Sequence, residues 1–211
     1  MQRNNLTIEL LETAGLKSAF RAMRLPMRGR DDSRTYTEEQ DAQLAQRLIA
    51  SGDDHAKHMR LALVWFEIRA PRYFWSEFDT YRVGVEKESG STMHRLMQDG
   101  FKYSEDCVPW AEQTFPRTYL YAQEDINALA DLWRGERDTE KRNEYLFMAK
   151  SILPEGYLQT RIVCASYQTL RRIYFQRKNH KLKEWREFCN FIESLPYSEL
   201  ITIKYKEEEK K

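Results

Sequence analysis

The basic residues between positions 82 and 95 are the first candidates for binding chemistry. They are Arg82, Lys87, His94 and Arg95, with glycine and serine residues between them. Cationic groups among small residues can bind a phosphate through charge-assisted hydrogen bonds. No P-loop or GxGxxG motif accompanies them. We predict a polar loop that carries an anion-binding site, because ligand-contacting residues are often found in such segments.

A second basic cluster lies nearer the C-terminus. Its members are Arg171, Arg172, Arg177, Lys178, Lys181 and Lys183. The cluster is either the solvated face of a helix or a second anion-binding patch, and the sequence leaves both alternatives open. His55 and His58 stand three positions apart without a third ligand at a matching spacing, so we predict no metal site.

Aromatic residues at helical spacing precede the first basic segment. They are Phe74, Trp75, Phe78 and Tyr81. Pro71 stands before them, where the first turn of a helix tolerates proline. Large aromatic side chains at this spacing are typical of a buried core. The alternative is a wall on which a planar base or a flavin stacks.

Apolar runs predict the strands that position these residues. Leu61–Phe66 is a nearly unbroken apolar run, which is typical of a buried strand, and Leu158–Ala165 is predicted as a second buried strand. A further strand is predicted over Leu6–Leu11. Residues 97–121 contain Pro109 and Pro116, so we interpret most of that range as a loop.

Amphipathic stripes predict helices around these strands. Thr37-Glu38-Glu39-Gln40 has the form of a capping box, which opens one helix. The other stripes lie at residues 19–23, 126–133, 145–152, 170–177 and 182–192. Gly135, Pro154 and Pro196 follow three of them, as helix-ending residues do. Together the elements predict a mixed α/β (α+β) fold.

Length and charge restrict the classes of function. The 211 residues suit one sizeable core, and we expect a single domain over residues 1–203 with a charged tail at 204–211. The 34 basic and 33 acidic residues leave a net charge of +1, which gives no reason to expect nucleic acid or a membrane as partner.

Cysteine usage and the N-terminus point to a cytoplasmic location. Cys107, Cys164 and Cys189 are far apart and odd in number, so neither a disulfide framework nor a CxxC metal site is expected. The chain has no apolar run long enough to span a bilayer and no signal-peptide pattern.

The order of these motifs resembles the flavin-dependent thymidylate synthase family, over roughly residues 53–190. The family signature, RHRxxSxNExSxRY, follows an apolar strand and an aromatic helix start. Lys57-His58 stands at the Glu-His that opens that strand. Thr80-Tyr81-Arg82 stands at Arg-His-Arg, so Arg82 alone is retained, and Glu88 stands at the Glu of the signature.

Several signature positions differ in this chain. Gly90 replaces the reactive-site Ser, and Thr92 replaces the Arg of SxRY. Ser89, Ser91 and Arg95 lie close enough in the sequence to substitute for them.

The resemblance continues towards the C-terminus. Ala149–Pro154 is similar to the family's AR-x-x-LP segment, with Lys150 in place of Arg. Ser166–Leu170 stands at Asn-x-Arg-Ser-Leu, with Gln168 in place of Arg. Arg177 matches the arginine that closes the following helix.

The resemblance implies three groups of site residues. The catalytic candidates are Glu88, Ser89 and Ser91. The cofactor-binding candidates are His58, Tyr81, Arg82, Gln168 and Arg172. The nucleotide-binding candidates are Glu77, which stands where the family has Gln, and Arg95, Lys150 and Arg177.

The function implied by the resemblance is the methylation of dUMP to dTMP. The family uses FAD, NADPH and methylenetetrahydrofolate, and it usually forms homotetramers with sites shared between subunits. A divergent, virus-encoded member is one interpretation. The alternatives are a non-catalytic protein that binds a pyrimidine nucleotide on the same fold, and an interaction protein that kept only the core.

Overall fold

The computed structural model describes residues 4–30, 33–109 and 116–205, apart from the side chains of Met93, His94 and Pro116. The strands in these ranges are β1 (Thr7–Ala14), β2 (Leu63–Pro71), β3 (Val85–Ser89) and β4 (Leu158–Ser166). The helices are α1 (Leu16–Arg24), α2 (Glu38–Ala50), α3 (Arg72–Phe78), α4 (Thr92–Asp99), α5 (Tyr103–Asp106), α6 (Pro116–Gly135), α7 (Thr139–Ile152), α8 (Tyr167–Arg177), α9 (Lys183–Glu193) and α10 (Glu199–Thr202). Short 3₁₀ turns lie at Leu25–Met27 and Lys57–Leu61.

The strands form one four-stranded sheet in the order β1-β2-β4-β3. Backbone hydrogen bonds just beyond the two ends of the β2–β4 pair define its direction. The Tyr167 N–H donates to Ala62 O at 2.9 Å, and the Arg72 N–H donates to Tyr157 O at 3.0 Å. Because the residue numbers run in opposite directions, β2 and β4 are antiparallel.

The strands predicted over Leu61–Phe66 and Leu158–Ala165 are confirmed as β2 and β4, with one change of boundary. Val64, Phe66 and Ile68 of β2 have no exposed surface. Leu61, which is half exposed, belongs to the preceding 3₁₀ turn. The strand predicted at the start of the chain is also confirmed, as β1.

β3 is an edge strand where the sequence predicted a loop. The Gly90 N–H donates to Thr160 O, and the Ser166 N–H donates to Gly84 O, each at 3.0 Å, and these bonds pair β3 with β4. The loop prediction is wrong here, and it is also wrong for the following residues, which form α4. Only Val85 of the strand is buried. The other residues of β3 are polar, so the sequence shows no alternation from which a strand could be predicted. Pairing with β4 supplies the backbone hydrogen bonds that define the strand.

Contacts divide the described chain into two compact units. The first contains residues 4–7, 68–80 and 88–161, and the second contains residues 8–67, 81–87 and 162–205.

Helix α6 organises the first unit by packing against α4 and α7. Ile126 and Ala130 of α6 and Ala149 of α7 are fully buried in its core. The helices predicted over residues 126–133 and 145–152 are therefore confirmed.

The aromatic stripe belongs mainly to the core of the first unit. Phe74, Trp75 and Phe78 are buried, and the ring centroids of Trp75 and Phe78 lie 5.5 Å apart. The indole N–H of Trp75 donates to Gln159 O at 2.9 Å. Because α3 ends at Phe78, Tyr81 lies outside it and belongs to the second unit.

Helix α2 of the second unit begins with the predicted capping box. The Thr37 hydroxyl accepts the Gln40 N–H at 3.2 Å, and the Gln40 side chain accepts the Thr37 N–H at 3.0 Å. Helices α8 and α9 pack against each other, and Trp185 and Phe188 of α9 are fully buried.

The loop predicted over residues 97–121 is wrong for part of its length. Its first residues end α4, Tyr103–Asp106 forms α5, and α6 begins at Pro116. Proline is accepted at a helix start because its missing N–H would have no intrahelical partner there. Residues 110–115 lie outside the described residues.

The mixed α/β class predicted from the sequence is confirmed by the alternation of sheet and helix. Within the described ranges, no helix is both long and apolar enough to cross a membrane. The single domain over residues 1–203 and the charged tail stay predictions. Of that tail, only Lys204 and Tyr205 lie in the described part of the chain.

Candidate functional site

A pocket of about 670 Å³ lies at the N-terminal end of α8 in the second unit. It includes two cofactor-binding candidates from the sequence, Gln168 and Arg172. The other lining residues are Asp53, Arg60, Leu63, Val83, Gly84, Glu86, Cys164, Ser166, Thr169, Arg171, Phe175, Gln176 and Tyr205. A volume of this size is typical of small-molecule sites.

Hydroxyl groups join the start of α8 to the turn before β3. Ser166 is the N-cap, and its Oγ accepts the Thr169 N–H at 3.2 Å. The Thr169 hydroxyl donates to Val83 O at 2.9 Å. Gly84 has φ +71°, and a Cβ there would lie 2.6 Å from Thr169 Oγ1. Only glycine lets the backbone approach α8 this closely.

The charges of this pocket favour an anion at the helix end. Arg60 and Arg172 line it, and the Arg60 Nε donates to the Gln168 side-chain oxygen. The N-terminus of α8 adds the partial positive charge of the helix dipole. Asp53 and Glu86 also line the pocket, so its wall is mixed rather than uniformly basic.

Cys164 lines the same pocket and is half buried. Burial raises the pKa of its thiol, and the negative charge of Glu86 raises it further. The thiol is therefore mostly protonated near neutral pH and is a weak nucleophile.

Tyr81 and Arg177, assigned separate roles by the resemblance, contact each other in the second unit. The Arg177 Nε donates to the Tyr81 hydroxyl, and that hydroxyl donates to the Gln176 side chain, both at 2.9 Å. The Arg177 guanidinium also lies 4.5 Å from the ring centroid of Trp185 and 3.0 Å from Nε2 of His180. Arg177 is thus a packed, half-buried side chain.

His58 is a buried histidine on the 3₁₀ turn before β2. Its Nδ1 lies 3.3 Å from His55 O, which can only accept, so Nδ1 carries the proton. Nε2 is buried and contacts no hydrogen-bonding group in the described part of the chain. Burial lowers the pKa of the ring, while its hydrogen bond to His55 acts in the opposite direction.

A smaller pocket of about 270 Å³ lies in the first unit, at the start of α4. It brings together Ser91, a catalytic candidate, and Arg95, a nucleotide-binding candidate. Arg69 and Lys102 add two further cations, and Asp99, Glu105 and Asp106 add three carboxylates, so the charges of the lining balance. Arg95 Nε lies 3.6 Å from Asp99 Oδ2, and both side chains are exposed. Such a surface ion pair contributes little to stability.

The other sequence-predicted site residues line neither pocket. Glu88 and Ser89 are exposed on β3, Lys150 is exposed on α7, and Glu77 is half buried on α3. Arg82 is exposed next to the pocket-lining Val83. Tyr81, Arg177 and His58 also lie outside both linings. The roles of all these residues stay predictions.

Sequence reasoning missed several lining residues of the larger pocket. Phe175 follows Arg171 by four positions, and this helical spacing places both residues on one face of the helix. The sequence therefore contained a signal for Phe175. Arg60 precedes the predicted strand in a segment without a recognisable motif, and Tyr205 lies in the predicted tail. Neither position has a sequence pattern that indicates a binding residue.

Comparison with solved structures shows which known proteins share this fold. Two structures of thymidylate synthase X (ThyX) from Helicobacter pylori, each with FAD and dUMP, match 94% of this chain with 16% and 17% identity and TM-scores of 0.68 and 0.70. The match covers 100% and 99% of those chains. The fold is that of the flavin-dependent thymidylate synthases.

A third structure with this fold has a related activity in its name. The UMP/dUMP methylase PolB from Streptomyces cacaoi, bound with 5-Br dUMP, matches 95% of this chain and 96% of its own, at 15% identity and a TM-score of 0.70. No family model and no curated protein sequence matches the chain. The likeness to ThyX and PolB is therefore one of fold.

Proposed function

We propose that this protein is a divergent flavin-dependent thymidylate synthase homologue that methylates dUMP to dTMP. The observation that carries the proposal is the pocket at the N-terminus of α8, which combines Arg60 and Arg172 with a helix N-terminus on a fold shared with FAD- and dUMP-bound proteins. Methylenetetrahydrofolate is the proposed methylene donor and NADPH the reductant. The cytoplasm is the proposed location.

The larger pocket suits a flavin dinucleotide in its donors. Arg60, Arg172 and the start of α8 are suited to a diphosphate. Gln168 supplies a neutral polar contact. His58, Tyr81 and Arg82 are the further proposed cofactor residues. When bound, the flavin supplies the reducing equivalents, while the protein binds and orients the reactants.

The smaller pocket is the proposed nucleotide site. Arg95 is the proposed phosphate ligand, because its exposed guanidinium is only weakly engaged by Asp99. Ser91 lines the same pocket, where its hydroxyl can contact the base or sugar. The further proposed nucleotide-binding and catalytic residues are Glu77, Glu88, Ser89, Lys150 and Arg177.

Nucleotide binding is tested by ligand-dependent stability. At one hundred times its dissociation constant, dUMP should raise the free energy of unfolding by about 2.7 kcal/mol. Arg95→Ala should remove most of this gain, whereas Arg137→Ala, an exposed arginine of the same unit that lines neither pocket, should not. The absence of stabilisation by any pyrimidine nucleotide would refute the site.

The second candidate is a non-catalytic pyrimidine-nucleotide-binding protein. Gln168 and Thr80 stand where the resembled family has arginines, and Thr80 is exposed, with its hydroxyl donating to Glu77 O at 2.7 Å. A charge-assisted phosphate contact contributes on the order of 1.5–3 kcal/mol, so losing two weakens flavin binding by about two to four powers of ten. We expect purification with little bound flavin, which an absorption spectrum measures.

Tritium release separates the two candidates. The assay uses 5-tritiated dUMP with NADPH, methylenetetrahydrofolate and excess FAD. Release above the enzyme-free control supports the synthase, whereas dUMP binding without release supports the binding protein.

A homotetramer with shared sites is proposed from the resemblance. Light scattering at micromolar concentration tests it, and a single monomeric peak would contradict it.

A further inference from the structure

A groove of about 650 Å³ lies in the second unit, lined by α1, by α2 and by residues of the segment between them. The two helices pack against each other. The groove shares no described lining residue with either pocket of the proposed function. Any ligand that it binds is therefore additional to the flavin and the nucleotide.

The lining of the groove is mostly basic. Asp41 is the one carboxylate among the described lining residues, and the cations are Lys17, Arg21, Arg24, Arg28 and Arg34. Arg24 already pairs with Asp41, at 2.5 Å between Nε and Oδ1. Lys17 and Arg21 are exposed and form no ion pair within the described ranges. Because the whole chain has a net charge of only +1, this positive charge is a local feature that favours an anionic partner.

The cations of α1 form a row. Lys17, Arg21 and Arg24 follow one another at spacings of four and three positions, which places them on one face of the helix. Seven helical positions advance about 10 Å along the axis, so the row matches acidic side chains on about two turns of another helix. A single phosphate is more compact, and its usual sites have donors that converge on one point.

Apolar side chains line the groove beside this row. Met23 and Met27 come from α1 and the 3₁₀ turn after it, and Leu44 and Leu48 come from one face of α2. Met27 is 86% exposed, whereas the other three side chains are half buried. Apolar residues in a groove between two helices accept the apolar face of a third, and methionine adapts its shape to such a partner.

We propose that this groove binds an acidic amphipathic helix of a protein partner. The apolar face of the partner helix contacts the two methionines and the two leucines, and its carboxylates pair with Lys17 and Arg21. Arg24 is a fixed part of the groove wall, because it pairs with Asp41 and its guanidinium lies 3.4 Å from the ring centroid of Tyr36. The site stands independently of the proposed function.

Two other anionic partners match the groove less well. Tyr36 is the one aromatic ring among the described lining residues, and Arg24 covers one of its faces, so the bases of a single nucleic-acid strand have little surface on which to stack. Leu44 and Leu48 are half buried in a concave groove, which a side chain can enter and a planar bilayer cannot.

Calorimetric titration with a designed peptide tests the groove. The peptide is acetylated and amidated, spans about four helical turns, and has leucines on one face, glutamates beside them and alanines elsewhere. A second peptide has the same composition, with the leucines distributed around the helix. We expect the first peptide to bind, with an affinity that falls as the ionic strength rises, and the second to bind at least about tenfold more weakly.

Lys17→Ala/Arg21→Ala should weaken binding of the first peptide by about fivefold or more, because an exposed ion pair contributes up to about fivefold in affinity. Alanine favours helix, so α1 is retained in this variant. The matched control is Arg47→Ala/Lys181→Ala, which removes two exposed cations of the second unit that do not line the groove. The control should change the affinity by less than about twofold.

Met27→Gln tests the apolar contact, because it keeps the length of the side chain and adds a polar amide. It should weaken binding by about fivefold or more. Met148→Gln, at a methionine of α7 that is 51% exposed and outside the groove, is the control and should leave the affinity unchanged.

Four results would overturn the proposal. They are no binding of the first peptide, equal affinities of the two peptides, an unchanged affinity in Lys17→Ala/Arg21→Ala, and tighter binding of a single-stranded oligonucleotide or of phosphatidylserine vesicles in competition with the peptide. Stabilisation by dUMP is measured in parallel and should be the same in Lys17→Ala/Arg21→Ala as in the wild type, so this proposal and the proposed function can fail separately.

Discussion

The Arg177 guanidinium donates through Nε to the hydroxyl of Tyr81 at 2.9 Å. The two residues are 96 positions apart, and the sequence resemblance assigns one to a nucleotide and the other to a cofactor. Their hydrogen bond makes them one structural cluster, in which the Tyr81 hydroxyl orients the arginine.

Tyr81→Phe should therefore lower the free energy of unfolding by about 1 kcal/mol, because Arg177 and Gln176 both lose a hydrogen-bond partner. The control is Tyr121→Phe, which removes a hydroxyl from an exposed tyrosine of α6. Urea denaturation of both variants measures the difference. Equal midpoints for Tyr81→Phe and the wild type would show that water replaces the lost bonds.

Gly84→Ala should destabilise the protein by about 1–2 kcal/mol. The backbone at Gly84 is left-handed, and the new Cβ would meet the hydroxyls of Thr169 and Ser166 at 2.6 and 3.0 Å. Gly29→Ala is the control, because no atom lies within 4 Å of its added Cβ. Thermal denaturation measures both changes. A melting temperature for Gly84→Ala equal to that of the control would mean that the turn before β3 moves freely away from α8.

His58 should make stability depend on pH below neutrality. Burial lowers the pKa of His58 in the folded state, so the unfolded chain binds the proton more tightly. The free energy of unfolding is fully retained above the ordinary histidine pKa of about 6.5, and it should fall as the pH falls towards the lower folded-state pKa.

Urea denaturation at pH 7 and pH 5 measures this loss. His58→Gln should reduce the difference between the two pH values, whereas His55→Gln, at an exposed histidine, should leave it unchanged. An unchanged difference in His58→Gln would assign the pH dependence to other groups.

Cys164 should be alkylated slowly in the folded protein, and faster when Glu86 is neutral. Burial and Glu86 both raise the pKa of its thiol, so Glu86→Gln removes one cause and increases the thiolate fraction at pH 8. Glu67→Gln, at an exposed glutamate of β2, is the control. Mass spectrometry of iodoacetamide-treated peptides measures the rates, and equal rates in the two variants would contradict the electrostatic assignment.

The other cysteines should not react before the protein unfolds. Burial is the main cause that raises the pKa of Cys107 and of Cys189 to about 12 in each case. Alkylation of either at the rate of Cys164 would show that its surroundings open on the time scale of the assay.

The sequence by itself determined most of the local elements and the fold class, whereas β3, α4 and α5 were predicted as loops. The capping box at Thr37, the stripe from Ile126 to Trp133 and the apolar run of β4 each carry their periodicity or hydrogen-bond partner within a few residues. Such patterns predict an element reliably because they depend only on which of its residues are buried on one face. The aromatic stripe was likewise predictable as core at Phe74, Trp75 and Phe78.

The tertiary structure alone decided which polar residues meet. Arg60 and Gln168 are 108 positions apart, and Arg171 binds carbonyl oxygens 30 and 32 positions away. β3 became a strand through its pairing with β4, although its own residues are mostly polar. Side-chain periodicity encodes which face is buried, but a polar group's partner depends on distances that exist only after the chain has packed. The pocket at α8 is a product of that packing.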